Sequence, residues 1–473
     1  MRLLLSSLFL LPVLAADVPF TVVDLTLHQQ QSVTLPGGAK ISVELMAASE
    51  TRDGLQSAVR EARVRVKVDG QEAELRCGNY ELPRTMGRVQ ADCPITAAYM
   101  KNSNIDHWGL RAAARIRLWP AGSPWMTPNE FGYPLKQRWF LTQTQMSNEP
   151  THADRGEQRT RKQIYYHAGL DIGGAEAAAQ VVAATDGVVV SLGKEVMPEH
   201  KTGTPVEPRY DVIYIRDSRG WYYRYSHLHS FEPAIELGAD VKRGDPLGLL
   251  GKEGGSGGWS HLHFEIKSKQ PSGAWGTQEG YAFLWEAYLR DYRPDVVAIA
   301  RPHLYAKVGD EVTLDASRSW VRAGKPQFRW RLTDGRASTA PQMRVRYGKV
   351  GTYSEVLEVR DSAGHVGYDF ATVNVYDDTS DPLTVHAAYS PSLQIKPGQE
   401  LTFKARTFGL TTGEETWDFG DGSPLRSTQS DGNAVKLAKN GYAVIKHTYD
   451  KPGDYVVTVK NGSATTRLWV PVR

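Results

Sequence analysis

Apolar and polar residues alternate along most of this chain. Lys40–Leu45 and Arg63–Val68 carry an apolar side chain at every second position, and Gly and Pro turns separate such runs. A period of two is that of a strand with one buried face. The segment Tyr281–Tyr292 has a helical pattern instead, which ends before Pro294. The pattern therefore predicts a mainly β protein with one convincing helix.

The strands group into four predicted domains. We expect an N-terminal β-sandwich-like domain at residues 17–120 and a second β domain at 121–294, which includes a lead-in and the C-terminal helix. Two further units follow at 295–378 and 379–473. Both repeat one order of glycine turn, Trp-bearing strand, Asp-Gly turn and Gly-x-Tyr strand. This repetition indicates tandem copies of one module.

Connecting segments of the second domain give three further expectations. Residues 121–163 are rich in Pro, Gln and Arg with aromatic residues between them, and we expect the aromatics to line a groove of this domain. The polar and charged stretch 147–162 predicts an exposed loop. Asp186-Gly187 stands between two apolar runs, which predicts a hairpin.

Residues 1–16 indicate where the protein works. Arg2, a short apolar run and Ala15-Ala16 have the order of a secretory signal peptide. A membrane anchor is the alternative, but the run is too short to span a bilayer comfortably. No other stretch of the sequence is long and apolar enough to span one. We therefore expect export to a periplasm, the extracellular space or the cell surface, with no stable membrane span after cleavage.

Composition adds two points. The chain has 473 residues, 23% of them charged and 41% hydrophobic, as in a soluble globular protein. Its net charge of +3 argues neither for nor against nucleic acid, and we expect no nucleic-acid partner. In an exported chain, Cys77 and Cys93 can form one disulfide that closes a short loop, and two buried free thiols are the alternative.

Histidines and one aspartate converge from separate parts of the second domain. His261 and His263 lie two apart on a predicted strand, so both imidazoles point to one face. We expect the glycine-rich turn before them to leave them open to solvent. Upstream, His167 and Asp171 stand four residues apart, and His227 ends another predicted strand. Such a set is typical of a metal or acid–base site.

Residues 164–269 resemble the lysostaphin-type zinc endopeptidases. Three motifs carry the resemblance in the family's order: His167-x-x-x-Asp171, Tyr225-x-His227-Leu and His261-Leu-His263-Phe. The resemblance implies an open antiparallel β-sheet metallopeptidase domain with one Zn²⁺ per chain. It implies His167, Asp171 and His263 as metal ligands and His227 and His261 as catalytic residues. The implied substrates are peptide bonds in the cross-links or stem peptides of bacterial peptidoglycan, or another peptide.

Two departures from the family pattern stand beside these motifs. Trp259-Ser260 replaces the usual small residue and proline before His261. Glu176-Ala-Ala-Ala replaces a glycine-bearing phrase after the first motif. Neither departure removes a metal ligand, but a Trp beside the cleft can alter the substrate pocket.

Two residues and two functions remain as alternatives. His229 forms a rival His-x-His with His227 but lacks a counterpart in the family, and Glu265 either orients an imidazole or is solvated or structural. A non-catalytic activator of other cell-wall hydrolases is one alternative function, which the retention of all five site residues disfavours. A surface adhesion protein with a structural metal is the other, and it would need a fourth protein ligand.

The two C-terminal units resemble polycystic-kidney-disease (PKD) repeats, which are immunoglobulin-like β-sandwiches. Trp417–Gly422 and His447-Thr-Tyr449 carry the closer match, in the second unit. The resemblance implies spacers or binders, with a wall or matrix polymer as a possible ligand, and a structural role for His447. A chain that ends near Pro294 is then expected to keep the zinc and to cleave a small soluble peptide.

Overall fold

The computed structural model describes residues 18–100, 106–152 and 164–473, and strands dominate it. The predicted signal peptide at 1–16 lies outside the described residues. Within the described ranges, Tyr281–Tyr292 forms the one α-helix, α1, which confirms the predicted bounds. Short 3₁₀ turns lie at Ala97–Met100 and Pro198–His200. The part of the chain that the structure describes contains no helix long and apolar enough to cross a membrane.

The N-terminal domain (18–120) is a sandwich of two four-stranded sheets, β1-β8-β7-β6 and β2-β3-β4-β5. Its strands are β1 Thr21–Leu25, β2 Gln30–Thr34, β3 Lys40–Arg52, β4 Val59–Val68, β5 Gln71–Arg76, β6 Arg84–Met86, β7 Val89–Thr96 and β8 Ala114–Pro120. The alternating side chains of these strands form a separate apolar core between the sheets, as the periodicity predicts. Cys77 and Cys93 are both buried free thiols within it, which is the alternative to the disulfide.

The central domain (121–294) is organised around an open antiparallel sheet. Its strands are β9 Thr144–Gln145, β10 Pro150–His152, β11 Ile164–Tyr166, β12 Leu170–Gly173, β13 Gln180–Val182, β14 Gly187–Leu192, β15 Glu195–Val196, β16 Ile213–Arg216, β17 Tyr222–Ser226, β18 Leu228–Phe231, β19 Asp240–Val241, β20 Pro246–Leu250, β21 His261–Lys269 and β22 Trp275–Gln278. The main sheet runs β15-β14-β16-β17-β21-β12-β9, with β19 beside β14 and β22 beside β21. The open antiparallel sheet is therefore confirmed.

The hairpin expected around Asp186-Gly187 is wrong. β13 pairs with β20 in a separate three-stranded sheet, whereas β14, which begins at Gly187, pairs in the main sheet. The stretch between β13 and β14 is a crossing between two sheets. Alternation within each run predicts a strand but not its partner, so the Asp-Gly turn signal misled here.

The aromatic residues of the lead-in pack in the core of the central domain. Phe131, Tyr133, Trp139 and Phe140 are buried against α1 and the main sheet, so they do not line a groove. Trp139 contacts three rings of the helix, Tyr281 included. Burial of such large apolar surfaces is a principal stabilising contribution, and it fixes the helix below the sheet.

Two β-sandwiches complete the chain. The first C-terminal sandwich (295–378) contains β23 Val296–Val297, β24 Leu304–Lys307, β25 Glu311–Asp315, β26 Trp320–Val321, β27 Gln327–Arg331, β28 Ala337–Ser338, β29 Gln342–Arg346, β30 Gly351–Arg360 and β31 Val366–Tyr376. The second C-terminal sandwich (379–473) contains β32 Thr384–Ser390, β33 Glu400–Phe408, β34 Gly413–Asp418, β35 Arg426–Ser430, β36 Ala443–Thr448, β37 Gly453–Asn461 and β38 Ala464–Val472. One nine-stranded sheet runs through both, joined where Thr352 of β30 pairs with Ala464 of β38.

The second C-terminal sandwich packs directly on the central domain. Leu141 and Ala175 of the central domain are buried among the core residues of this sandwich. Arg138 Nη1 donates a hydrogen bond to the Trp469 carbonyl at 2.6 Å, and Thr142 Oγ1 donates to the Ala387 carbonyl at 2.5 Å. The two domains therefore share an apolar and hydrogen-bonded interface.

Candidate metal centre

Strand register brings the site together. β12 pairs antiparallel with β21, and Asp171 lies directly opposite His263. Directly opposed residues in such a pair project from the same face of the sheet. His167 arrives from the short turn before β12, where Gly169 has φ +87° and a Cβ atom would lie 2.9 Å from the Phe264 carbonyl oxygen. A glycine at this turn therefore lets His167 approach β21 closely.

The donor atoms of three residues form a compact triangle. His263 Nδ1 lies 2.8 Å from Asp171 Oδ1 and 3.1 Å from His167 Nε2, and the remaining edge, His167 Nε2 to Asp171 Oδ1, is 3.2 Å. Tetrahedral coordination at about 2.0–2.1 Å separates ligand atoms by about 3.3 Å. Two imidazoles and one carboxylate at this spacing fit a divalent metal such as zinc, and the triangle leaves a fourth position free of these ligands.

The charges in the triangle favour a deprotonated carboxylate. Burial alone would raise the pKa of Asp171, but the neighbouring imidazoles His167 and His261 outweigh it and hold that pKa well below its usual range. Burial lowers the pKa of His263 to about 4, so this imidazole is neutral near pH 7. For His167, the Asp171 carboxylate outweighs burial and raises the pKa. His263 and Asp171 are therefore in the state that binds a metal, and a metal would compete with the proton that the raised pKa favours on His167.

Two further histidines lie beside the triangle, and a backbone carbonyl orients each. His261 Nε2 is 3.3 Å from Asp171 Oδ2, and its ring centroid is 4.6 Å from that of His227. His227 Nδ1 donates to the Glu253 carbonyl at 2.5 Å, and His261 Nδ1 donates to the Trp259 carbonyl at 3.1 Å. Since a carbonyl oxygen only accepts, both bonds place the proton on Nδ1 and leave Nε2 for chemistry. Arg209 Nη2, which only donates, also lies 3.2 Å from His227 Nδ1, but the Glu253 carbonyl is the closer partner.

An aspartate that the motifs do not mark supports His227. His227 has φ +68°, a conformation that a residue with a side chain seldom adopts. Its backbone N–H donates to Asp211 Oδ2 at 2.9 Å, and Arg209 Nη2 donates to the same oxygen at 2.7 Å. Asp211 is buried, and hydrogen bonds from His227 and Arg209 outweigh burial and lower its pKa. Asp211 belongs to none of the three motifs, because its role depends on a tertiary contact that the local sequence does not show.

The glycine-rich turn does not leave the histidines open to solvent. His261 is only 2% exposed, whereas His263 is partly exposed. His229 is exposed on β18, apart from the triangle. Glu265 is buried and accepts a hydrogen bond from Thr277 Oγ1 at 2.7 Å. His229, the alternative ligand, is therefore at the surface, and Glu265 is hydrogen-bonded to the neighbouring strand β22.

The start of the stretch expected as an exposed loop is buried instead. Ser147, Asn148 and Glu149 lie against His167, whose backbone N–H donates to the Glu149 carbonyl at 2.8 Å. Asn148 Nδ2 donates to the Pro94 carbonyl of the N-terminal domain at 2.9 Å. Polar composition misled here, because the fold buries these residues between the central and N-terminal domains and gives Asn148 a partner in each: the Pro94 carbonyl for its side chain and the His167 carbonyl for its backbone N–H.

Comparisons with known proteins match three segments of the chain to family models. Residues 165–273 match the family model of peptidase family M23, and residues 293–375 and 384–469 each match a PKD domain. Similar solved structures include the D00-D0 domain of intimin (12% identity, covering 38% of this chain and 99% of that one, TM-score 0.16). Another is Csd3 of Helicobacter pylori (13% identity, 56% and 82% covered, TM-score 0.21). By its family matches, the chain carries a peptidase domain of family M23 at residues 165–273, followed by two PKD domains.

Proposed function

We propose that the protein is an exported zinc endopeptidase that cleaves peptide bonds in the cross-links or stem peptides of bacterial peptidoglycan. The observation that carries the proposal is the triangle of His263 Nδ1, Asp171 Oδ1 and His167 Nε2, with edges of 2.8, 3.1 and 3.2 Å. It lies inside the M23 peptidase domain. The signal-like pattern at 1–16 supports export, and the motif resemblance supports the wall substrate.

The three triangle residues would hold the zinc ion. Bound there, zinc would supply Lewis acidity toward a peptide carbonyl and lower the pKa of a water molecule. Three protein ligands are typical of a catalytic zinc site, because a structural site is closed by a fourth. The donor count therefore favours catalysis over the adhesion protein with a structural metal.

His227 and His261 would handle the proton and the developing negative charge. Each has Nδ1–H fixed by a carbonyl, so each presents Nε2 as a base, or as a donor once protonated. One imidazole can accept a proton from the attacking water while the other, protonated, donates a hydrogen bond to the oxyanion of the peptide. Their rings lie 4.6 Å apart, close enough to act on one bond.

Metal analysis with digestion of purified peptidoglycan tests the proposal. Wild-type protein should contain one zinc per chain and release soluble fragments that chromatography resolves. His263→Ala should lose both zinc and hydrolysis, because the triangle loses one donor. His229→Ala is the matched control and should keep both. Full zinc occupancy in His263→Ala would reject the ligand set, and zinc without digestion in the wild type would favour a regulator.

A further inference from the structure

We infer that the second C-terminal sandwich belongs to the catalytic unit, where Tyr442 and His386 are positioning residues for His261. The inference rests on the proposed function for its kinetic consequence. Its structural content is independent, because it concerns how one imidazole is held. The sandwich reaches His261 through the loop between β20 and β21, residues 251–260.

One peptide group connects the sandwich to the imidazole. The N–H of Ser260 donates to the Tyr442 hydroxyl at 2.8 Å, and the carbonyl of Trp259 accepts from His261 Nδ1 at 3.1 Å. This N–H and this carbonyl belong to the same planar unit, so they move together. Tyr442 thereby holds the carbonyl that fixes the proton of His261 on Nδ1.

The ring of Trp259 makes a second connection. Its indole stacks on the His261 imidazole, with centroids 3.9 Å apart and planes at 19°. The indole also makes an edge-on ring contact with His386 of the sandwich, with centroids 5.7 Å apart. His386 is buried, and its Nδ1 lies 2.8 Å from the Tyr442 hydroxyl. Tyr442 and His386 therefore act as one pair, which holds both the backbone and the side chain of Trp259.

The loop is also clamped one residue earlier. Arg406 is fully buried, and its Nη1 donates to the Gly258 carbonyl at 2.6 Å. Asp431 accepts hydrogen bonds from the same guanidinium at 2.6 and 2.7 Å, which fixes its plane. Asn433 Nδ2 donates to the Gly257 carbonyl at 3.1 Å. Glycine residues can adopt many backbone conformations, and these hydrogen bonds restrict the glycine-rich loop to one of them.

Both departures from the family pattern lie at this interface. Ser260 stands where the family usually has proline, which has no N–H to give to Tyr442. The carbonyl of Glu176, in the other departure, accepts from Lys404 Nζ of the sandwich at 2.6 Å. The sequence of the central domain therefore differs from the family at two of the places where the sandwich binds it. This docking argues against the interpretation of the C-terminal units as spacers alone.

Removal of one hydroxyl tests the inference in the full-length protein. Loss of an acid–base group costs about 10²–10⁴-fold in turnover, and a loosened one should cost about 10-fold. Tyr442→Phe should keep one zinc per chain and the wild-type KM for a soluble peptide, while kcat falls by about that factor. The control is Tyr449→Phe, a buried tyrosine of the same sandwich whose hydroxyl donates to the Phe419 carbonyl at 3.1 Å. It should match the wild type.

A second background separates positioning from a general structural effect. If Tyr442 acts through His261, then Tyr442→Phe should have no further effect on kcat in a His261→Ala protein. An equal loss in both backgrounds would overturn the inference. So would a kcat for Tyr442→Phe equal to that of Tyr449→Phe.

Imidazole NMR of zinc-loaded, ¹⁵N-histidine-labelled protein provides a readout without hydrolysis. The wild-type signal of His261, identified by its absence in His261→Ala, should report the Nδ1–H tautomer. Tyr442→Phe should shift this signal toward a mixture of tautomers, and Tyr449→Phe should leave it in place. An unchanged signal in Tyr442→Phe rejects the inference even if the wild type is active. If the wild type hydrolyses nothing, the proposed function fails, but the spectrum still decides the positioning.

Discussion

Asp211→Asn should loosen the segment that carries His227 and slow hydrolysis without loss of metal. Asp211 accepts hydrogen bonds from the His227 N–H at 2.9 Å and from Arg209 Nη2 at 2.7 Å. Hydrogen bonds to a buried charge contribute about 1.5–3 kcal/mol each. Asparagine keeps the shape but loses the charge, so we expect local opening to become easier by about 2 kcal/mol. Amide exchange across Tyr222–Phe231 should then be about 30-fold faster.

Hydrogen exchange with mass spectrometry, alongside kcat, measures this change. The matched control is Asp217→Asn, in the turn between β16 and β17, where Asp217 accepts from the Trp221 N–H at 2.9 Å. Asp217→Asn should loosen the hairpin of β16 and β17 at its turn, the end away from His227, and leave kcat unchanged. Wild-type exchange rates in Asp211→Asn would refute the role given to this carboxylate, as would an equal loss of kcat in both variants.

The pH dependence of the Asp211→Asn effect follows from the lowered pKa of Asp211. A depressed folded-state pKa contributes stability above the pKa of the unfolded chain, about 3.9, and that contribution is lost as pH falls toward the folded value. The difference between wild type and Asp211→Asn should therefore be full at pH 7 and shrink below about pH 4. A difference that grows in acid would contradict the sign.

Three further outcomes are expected. His227→Ala and His261→Ala should keep zinc while turnover falls by about 10²–10⁴-fold. His229→Ala should behave as wild type in both assays. If His229→Ala lost zinc and His227→Ala kept it, the choice of His227 over His229 as a site residue would be reversed. Burial raises the pKa of Glu149 to about 7, so the folded state binds more protons between about pH 4.5 and 7 and loses stability as pH rises through that window. Glu149→Gln should therefore be more stable than wild type by about 3 kcal/mol at pH 8 and gain nothing at pH 4 in thermal unfolding. A chain that ends at Pro294 should bind zinc yet cleave a soluble peptide more slowly than full-length protein. Equal rates would indicate that the two C-terminal sandwiches act only as spacers.

Strand periodicity and motif order predicted the skeleton of the site. The period of two placed His261 and His263 on one strand, β21, and the structure has them there. The family motifs added His167 and Asp171 to the predicted site. In the structure, the ligand atoms of His167, Asp171 and His263 lie within hydrogen-bond distance of one another. Their roles in metal binding and catalysis stay predictions until zinc and turnover are measured.

Tertiary contacts were beyond the reach of local pattern. Asn148 is buried because a carbonyl of the N-terminal domain accepts its amide, and composition alone made its segment look exposed. Tyr442 lies 182 residues from Ser260 along the chain, so no local signal connects them. The departure at Ser260 was visible, but its meaning needed the partner hydroxyl. A deviation from a family pattern therefore indicates where to look for a contact.

The clamp around Arg406 also has an evolutionary consequence. Genes for β-sandwich modules can be recombined between proteins when the encoded units share few side-chain contacts with their neighbours. Here the guanidinium of Arg406 and the hydroxyl of Tyr442 reach into the peptidase loop at 2.6 and 2.8 Å. A transplanted module without both groups would leave the Gly258 carbonyl and the Ser260 N–H without these partners. Selection should therefore keep this catalytic domain and its last module together as one inherited block.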